Sequence, residues 1–289
     1  MTADPMPADD VERHRHTVEA VRDRREASLR DPTGWLSLVG LHWLATGAQR
    51  FGSDPTGAIV LNAHEGGVPP IAGTLDAADG TVRVHPQLGV DLTVGDEPVA
   101  DGLELVDDSE GEPTILELAS LRFYLIRRGE GRLALRVKDV AAPALRAFAG
   151  LDYYPIDSRW RVTARLLPIA PGATIEVPDI VGDVMADPTP GDVVFELGGA
   201  SHRLHALEAS PGHLWLIFGD TTNDRETYGA GRFLVSGPLQ PDDTVEIDFN
   251  LAYNPPCVFS PFATCPLPPE GNRLPIPVEA GERMWSSHG

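Results

Sequence analysis

The sequence predicts an all-β, mainly antiparallel protein, with an N-terminal helix followed by a β-sandwich and a second sandwich or barrel unit. Three observations predict it. From residue 50 on, short apolar runs alternate with Gly, Pro and Asp at intervals of about 8–12 residues, the spacing of sandwiches and barrels. The 29 Gly and 27 Pro are spread between those runs, so they read as turns and not as a disordered tract. Only one stretch, residues 9–30, reads as a long helix.

That helix is justified by Asp9 or Asp10 as an N-terminal cap, by Val11, Val18, Val21 and Leu29 as a thin apolar stripe, and by Asp31-Pro32 as a stop. So narrow a stripe predicts a helix lying on a body, with His14 and His16 solvated. Residues 34–44, GWLSLVGLHWL, are dense in large apolar side chains and are expected to dock as core or as a pocket wall around His42. The first β unit is expected over 50–140, from AIVL (58–61), GTL (73–75), TVRV (81–84), VDLTV (90–94), TILEL (114–118), RFYLI (122–126) and RLALRV (132–137). Residues 141–155 read as a linker with one helical turn. A second β unit follows over 141–289, from WRVTARLLPI (160–169) to TVEIDFNLA (244–252), and it ends in a proline-rich block.

Composition limits the function classes. The net charge of −20, with one lysine (Lys138), argues against nucleic acid, whose phosphates need clustered Lys and Arg. No run of about 18 apolar residues predicts a membrane span. The opening MTADPMPADDVERHRH lacks the apolar core of a secretory signal, so a cytoplasmic address is expected. No phosphate-binding loop, dinucleotide fingerprint, Gly-x-Ser-x-Gly or His-Glu-x-x-His is present, and the sequence names no cofactor and no oligomeric state.

The chemistry concentrates near the C-terminus. Residues 248–272 read DFNLAYNPPCVFSPFATCPLPPEGN and hold both cysteines, three of five asparagines and six prolines. Period-2 alternation in TVEIDFNLA places Asp248 and Asn250 on the face opposite Val245, Ile247, Phe249 and Leu251. That polar face is either solvated or the floor of a pocket. The prolines fix φ, which suits preorganisation of Tyr253, Asn254, Cys257, Cys265 and Asn272, and equally suits a structural clasp. Cys-x7-Cys is not a usual zinc spacing. A disulfide, a catalytic thiol and two buried inert thiols are the other readings. In FGDTTNDRETYGAGRF (218–233), Tyr228 and Arg232 join the candidates. Arg232 opens a strand and could aim its guanidinium at a ligand anion or at Asp248.

Two resemblances follow from these residues. The order RFGSDPTGAIVL, GTLDAADGTVRV, LTVGDEPV, ILELASLRFYLI resembles a forkhead-associated-type β-sandwich over 50–140. Gly52 is followed by Ser53, and Gly95-Asp96 stands where such readers have Asn-Gly, so the resemblance implies the fold and not phosphothreonine binding. GWLSLVGLHWL, FGSDP, FGDTTNDRETYGAGRFL and the block DFNLAYNPPCVFSPFATCPLPPEGNRLPIPVEAGER closely resemble the family called domain of unknown function 1684. That family carries no activity to transfer. Its C-terminal block falls here on Asp248, Asn250, Tyr253, Asn254, Cys257, Cys265, Asn272 and Glu282. Two functions are therefore expected. One is a hydrolase- or lyase-like site for a small polar molecule, with Asp248 as acid–base group, Arg232 as electrostatic clamp and Tyr228 beside them. The other is a non-enzymatic module binding a ligand or a protein, with the proline-rich block as clasp.

Overall fold

In the computed structural model, which describes residues 8–109 and 111–285, helix α1 spans Ala8–Arg30. The opening MTADPMP, part of the stretch without a signal-like apolar core, lies outside the described residues. Asp9 and Asp10 sit in the first turn of α1 and Arg30 in the last, matching the helix dipole. The chain divides into two units. One comprises Leu29–Phe148 with the short excursion Phe259–Ala263. The other comprises residues 8–28, Ala149–Val258 and residues 264–285. No helix among the described residues is long and apolar enough to cross a membrane.

The first unit is a sandwich. Its strands are β1 (Leu38–Trp43), β2 (Gly47–Gly52), β3 (Ile59–Val60), β4 (Gly73–Ala78), β5 (Thr81–Pro86), β6 (Thr93–Val94), β7 (Glu97–Pro98), β8 (Leu103–Glu104), β9 (Leu116–Leu118), β10 (Leu121–Arg128) and β11 (Arg132–Asp139). They form a six-stranded sheet in the order β1-β11-β10-β9-β6-β7 and a five-stranded sheet in the order β3-β2-β4-β5-β8. Alternation sends Phe51, Leu75, Val82 and Val84 from one sheet, and Leu116, Phe123, Leu125, Leu135 and Val137 from the other, into a common core. The apolar segment 34–44, expected to dock as core or as a pocket wall, buries Leu36 and Leu38. It forms a short 3-10 turn at Trp35–Ser37 and then β1, which pairs antiparallel with β11. His42 lies on β1 in this unit, and burial lowers its pKa. A short helix, α2 (Pro143–Ala147), occupies the expected turn after β11.

The second unit is a near-closed barrel. Its strands are β12 (Arg161–Pro168), β13 (Thr174–Pro178), β14 (Val184–Pro188), β15 (Gly191–Leu197), β16 (Ala200–Ser210), β17 (His213–Phe218), β18 (Arg232–Pro238) and β19 (Thr244–Asp248). The main sheet runs β18-β17-β16-β15-β12-β19, every neighbouring pair antiparallel, and β13 and β14 form a separate hairpin. Its two edges are joined where Phe233 and Tyr253 exchange backbone hydrogen bonds at 2.9 and 2.8 Å. The interior is filled by Ala164, Leu166, Val193, Phe195, Leu204, Leu214, Leu216, Phe218, Leu234, Val245, Ile247 and Phe249. A barrel packed this way carries no ligand in its lumen, so a binding site has to lie at an end or on the outside.

Candidate functional site

The alternation of β19 stops at Asp248. Phe249–Leu251 is a 3-10 turn capped by the Asp248 side chain, which accepts from the Asn250 amide at 3.0 Å and from Asn250 Nδ2 at 2.7 Å. Asp248 and Asn250 share a side because of this cap and not because of strand periodicity, and both are buried. The remaining carboxylate oxygen of Asp248 accepts from His14 Nε2 of α1 at 2.6 Å. His14, expected to be solvated, is thus an internal anchor. Asn250 completes the join through its amide group, which bonds the backbone of Asp157 in both directions.

One to about three turns along α1 from His14, the same helix face presents Val18, Val21, Arg22 and Arg25. Here lies a cavity of about 50 Å³, lined by Val21, Arg22, Arg25, Tyr153, Asn250, Leu251, Ala252, Tyr253 and Glu282. Arg25 Nε donates to Glu282 Oε1 at 3.0 Å, and its guanidinium lies over the Tyr253 ring at 5.0 Å. The other oxygen of Glu282 accepts from the Asn254 amide at 2.7 Å. Arg22 stacks on the Tyr153 ring at 4.3 Å and donates through Nη2 to the Tyr154 carbonyl at 3.1 Å. Two buried polar atoms of the lining, Arg22 Nε and the Tyr153 hydroxyl, have no hydrogen-bond partner among the described residues.

The electrostatics follow from burial. Desolvation lowers the Arg22 pKa, against the pull of Tyr153, Asp248, Glu19 and Glu282. Burial raises Glu282, opposed by Arg25 and by the Asn254 amide. Burial, with Glu282 and Glu26 nearby, pushes the Tyr153 phenol up, so it stays protonated and can donate. The cavity therefore offers two guanidinium groups and two phenols against one carboxylate, a lining suited to an anion.

The other expected residues sit as follows. Arg232 is the first residue of β18 and is fully buried. Alternation turns it inward with Leu234. There it donates to Asp220 Oδ2 at 2.8 Å and to the carbonyls of Val278, Ala280 and Glu282. Its carboxylate partner is Asp220, not Asp248, whose two oxygens are engaged by His14 and Asn250. Asn272 ties the proline-rich block to β16 and β17, accepting from the His205 amide at 2.7 Å and donating to the carbonyls of His205 and Ile217, both at 2.9 Å. Asn254 donates its side-chain amide to the Arg283 carbonyl. Tyr228 hydrogen-bonds the Cys257 thiol, and Cys257 adjoins Cys265. Among the described residues no three His, Cys, Asp or Glu side chains gather in a way that could hold a metal ion. The cavity thus draws Asn250, Tyr253 and Glu282 from the stretches singled out in the sequence. Asp248 and Asn254 stand behind it.

His14, Arg22, Arg25 and Tyr153 are not prominent in the sequence. A trace was there: Val11, His14, Val18, Val21 and Arg25 recur at spacings of three and four, so the apolar stripe continues through polar residues. A glycine also sets the site. Gly281 has φ +76°, and a Cβ there would meet the Ala252 carbonyl oxygen at 2.4 Å. Gly281→Ala should displace Glu282 and destabilise the barrel unit by about 1–3 kcal/mol, measurable by chemical denaturation.

Comparison with known proteins finds a family and similar chains. Residues 146–283 match the model of a family described as a protein of unknown function (DUF1684). The chain is similar to an uncharacterised protein of Haloarcula marismortui solved by solution NMR, with 34% identity over 49% of this chain and 80% of that one, and a TM-score of 0.40. It is also 30% identical over 146 residues, 48% of its length, to a protein of Chloroflexus aurantiacus named ribose-5-phosphate isomerase A. The match spans 58% of that protein.

Proposed function

The chain belongs to this family of unknown function, DUF1684, and we propose that it binds a small carboxylate-bearing molecule in the cavity between α1 and the 3-10 turn of the barrel unit. The observation that carries this reading is the pair of unpartnered buried polar atoms, Arg22 Nε and Tyr153 Oη, on residues lining one cavity. An unsatisfied buried polar group costs about 1–3 kcal/mol, and an acidic group bonded to both removes that cost. An anion also relieves the desolvation that lowers the Arg22 pKa. A volume of about 50 Å³ suits a small acid. Val21, Leu251 and Ala252 supply apolar wall for its carbons. A cytoplasmic setting without a nucleic-acid partner belongs to the same reading, in keeping with a net charge of −20.

A hydrolase- or lyase-like activity is the catalytic extension of this proposal. In it the proton-transfer group is Glu282, a carboxyl that lines the cavity and whose pKa burial raises. Asp248 and Arg232 then act as supports, because their polar groups are engaged with His14, Asn250, Asp220 and backbone carbonyls.

The test is a ligand panel of formate, acetate, propionate, lactate, pyruvate, inorganic phosphate and ribose 5-phosphate, read by thermal shift and calorimetry. The wild-type chain should be stabilised by one of the small acids, by about 2.7 kcal/mol at a hundredfold excess over Kd. Arg22→Gln should weaken that binding at least tenfold. If no carboxylate stabilises the wild type, the cavity holds ordered water and the proposal fails. A response to ribose 5-phosphate alone would instead point to the reaction named for the Chloroflexus relative.

A further inference from the structure

The two cysteines of the chain stand apart from the cavity and are not needed for the function proposed there. Cys257 sits in a 3-10 turn at Pro256–Val258, half-buried. Cys265 is buried eight positions later. The Cys257 amide donates to Cys265 Sγ at 3.1 Å, and the Cys257 sulfur is only three bonds from that amide nitrogen. The two side chains are themselves hydrogen-bonded, and the Tyr228 hydroxyl hydrogen-bonds the Cys257 sulfur from outside the pair. The backbone around Cys265 is pinned to the β13–β14 hairpin. Ile180 donates to the Cys265 carbonyl at 3.0 Å, and Leu267 donates to the Pro178 carbonyl at 2.7 Å. Two separately fixed pieces of backbone thus hold Cys265 Sγ against the Cys257 amide. Among the described residues no third metal-ligating side chain joins them, which leaves a pair of thiols facing one another.

We propose that Cys257 and Cys265 form an oxidisable dithiol site, in which the Cys257 thiolate attacks hydrogen peroxide and Cys265 then closes an intramolecular disulfide. In the first step the Cys257 thiolate displaces one oxygen of the peroxide O–O bond. Cys257 becomes a sulfenic acid and the other oxygen leaves as water after taking a proton. In the second step the Cys265 sulfur attacks the Cys257 sulfur and expels the hydroxyl, which leaves as a second water with the Cys265 proton. Two thiols lose two electrons and two hydrogens, and the peroxide is reduced to two waters. The order of attack follows from exposure, since Cys257 is half-buried and Cys265 is buried. Donors on the Cys257 sulfur favour its thiolate. The hydrogen bond from Cys265, followed by that from Tyr228, outweighs burial and pulls the thiol down to about 7.

The experiment exposes the reduced full chain to hydrogen peroxide in its native state and follows thiol count and intact mass. Both thiols should disappear together with the loss of two hydrogens. Peptide mapping should find Cys257 joined to Cys265 within one chain, and dithiothreitol should restore both thiols. The rate should climb as pH rises through about 7, because the thiolate fraction grows. Cys265→Ser should halt at a sulfenic acid on Cys257 that dimedone traps, and Tyr228→Phe should slow the first step severalfold with circular dichroism unchanged. The wild-type mapping needs no variant, so a variant that fails to fold leaves the test intact. Two thiols surviving a peroxide excess, a disulfide only between chains, or sulfinic acid accumulating on Cys257 equally in wild type and Cys265→Ser would each overturn the proposal.

Discussion

Arg232→Met should cost the barrel unit about 3–5 kcal/mol, the usual penalty for removing one member of a buried ion pair. Both side chains of the Arg232–Asp220 pair are fully buried, so solvent screening does not discount the figure. The loss has two parts. Asp220 keeps its bonds from the amides of Thr222 and Val278 but loses the charge that balances it. The carbonyls of Val278 and Ala280 lose their donor, and the chain that leads to Glu282 loses its tie to β18. Amide exchange along Phe233–Val235 during urea titration reports the result locally, independent of the sandwich unit. The double variant Asp220→Leu/Arg232→Met should recover part of the loss, because a well-packed apolar pair leaves no buried charge behind. A single-variant cost under about 1 kcal/mol, the range of an exposed pair, would show that water reaches the arginine, and would reopen a ligand-facing role for it.

The contrast between Arg232 and Arg22 explains how much of the site was legible. Alternation and turn residues are local, so most strands of both units are legible in short apolar runs, whereas β1, β2, β7, β8 and β14 are not, and β19 ends at Asp248, earlier than its run. The same locality pointed to the C-terminal block, where Asn250, Tyr253 and Glu282 do line the cavity. Ion pairing is not local. Arg232 is 12 positions from Asp220, and His14 is 234 positions from Asp248. A strand-opening arginine looks the same in sequence whether it faces a ligand or a buried carboxylate. The helix lies where the sequence expects it, but its packing face is wider than the stripe of valines and leucine, because it also spends His14, Arg22 and Arg25 as contacts, covering a ring and two long side chains. Tyr153 falls in the stretch read as a linker, and only its place against Arg22 gives it a role.

His14→Ala should release the first half of α1 from the barrel unit at a cost of about 2–4 kcal/mol, and Asp248→Ala should do the same. The Asp248 carboxylate is the common acceptor for His14, for the Asn250 amide and for the Asn250 side chain, all buried. Removing the acid strands three donors, while removing the histidine strands one acceptor and opens a hole beneath the helix. Asp248→Ala should therefore be the costlier of the two. The double variant should cost less than the sum, with a coupling of about 0.5–3 kcal/mol. Hydrogen exchange over residues 8–21 measures the release directly. Acid binding separates a support from a catalyst. If Asp248 only seats the helix, Asp248→Asn, which keeps an oxygen for the Asn250 amide, should retain helix protection and most of the affinity of the Arg22 cavity. The Ala variants should lose both together, because Arg22 and Arg25 ride on the same helix. An Asp248→Asn chain that keeps its helix and binds acid normally, yet has lost a turnover that the wild type shows, would return Asp248 to the chemistry and make the histidine its partner there.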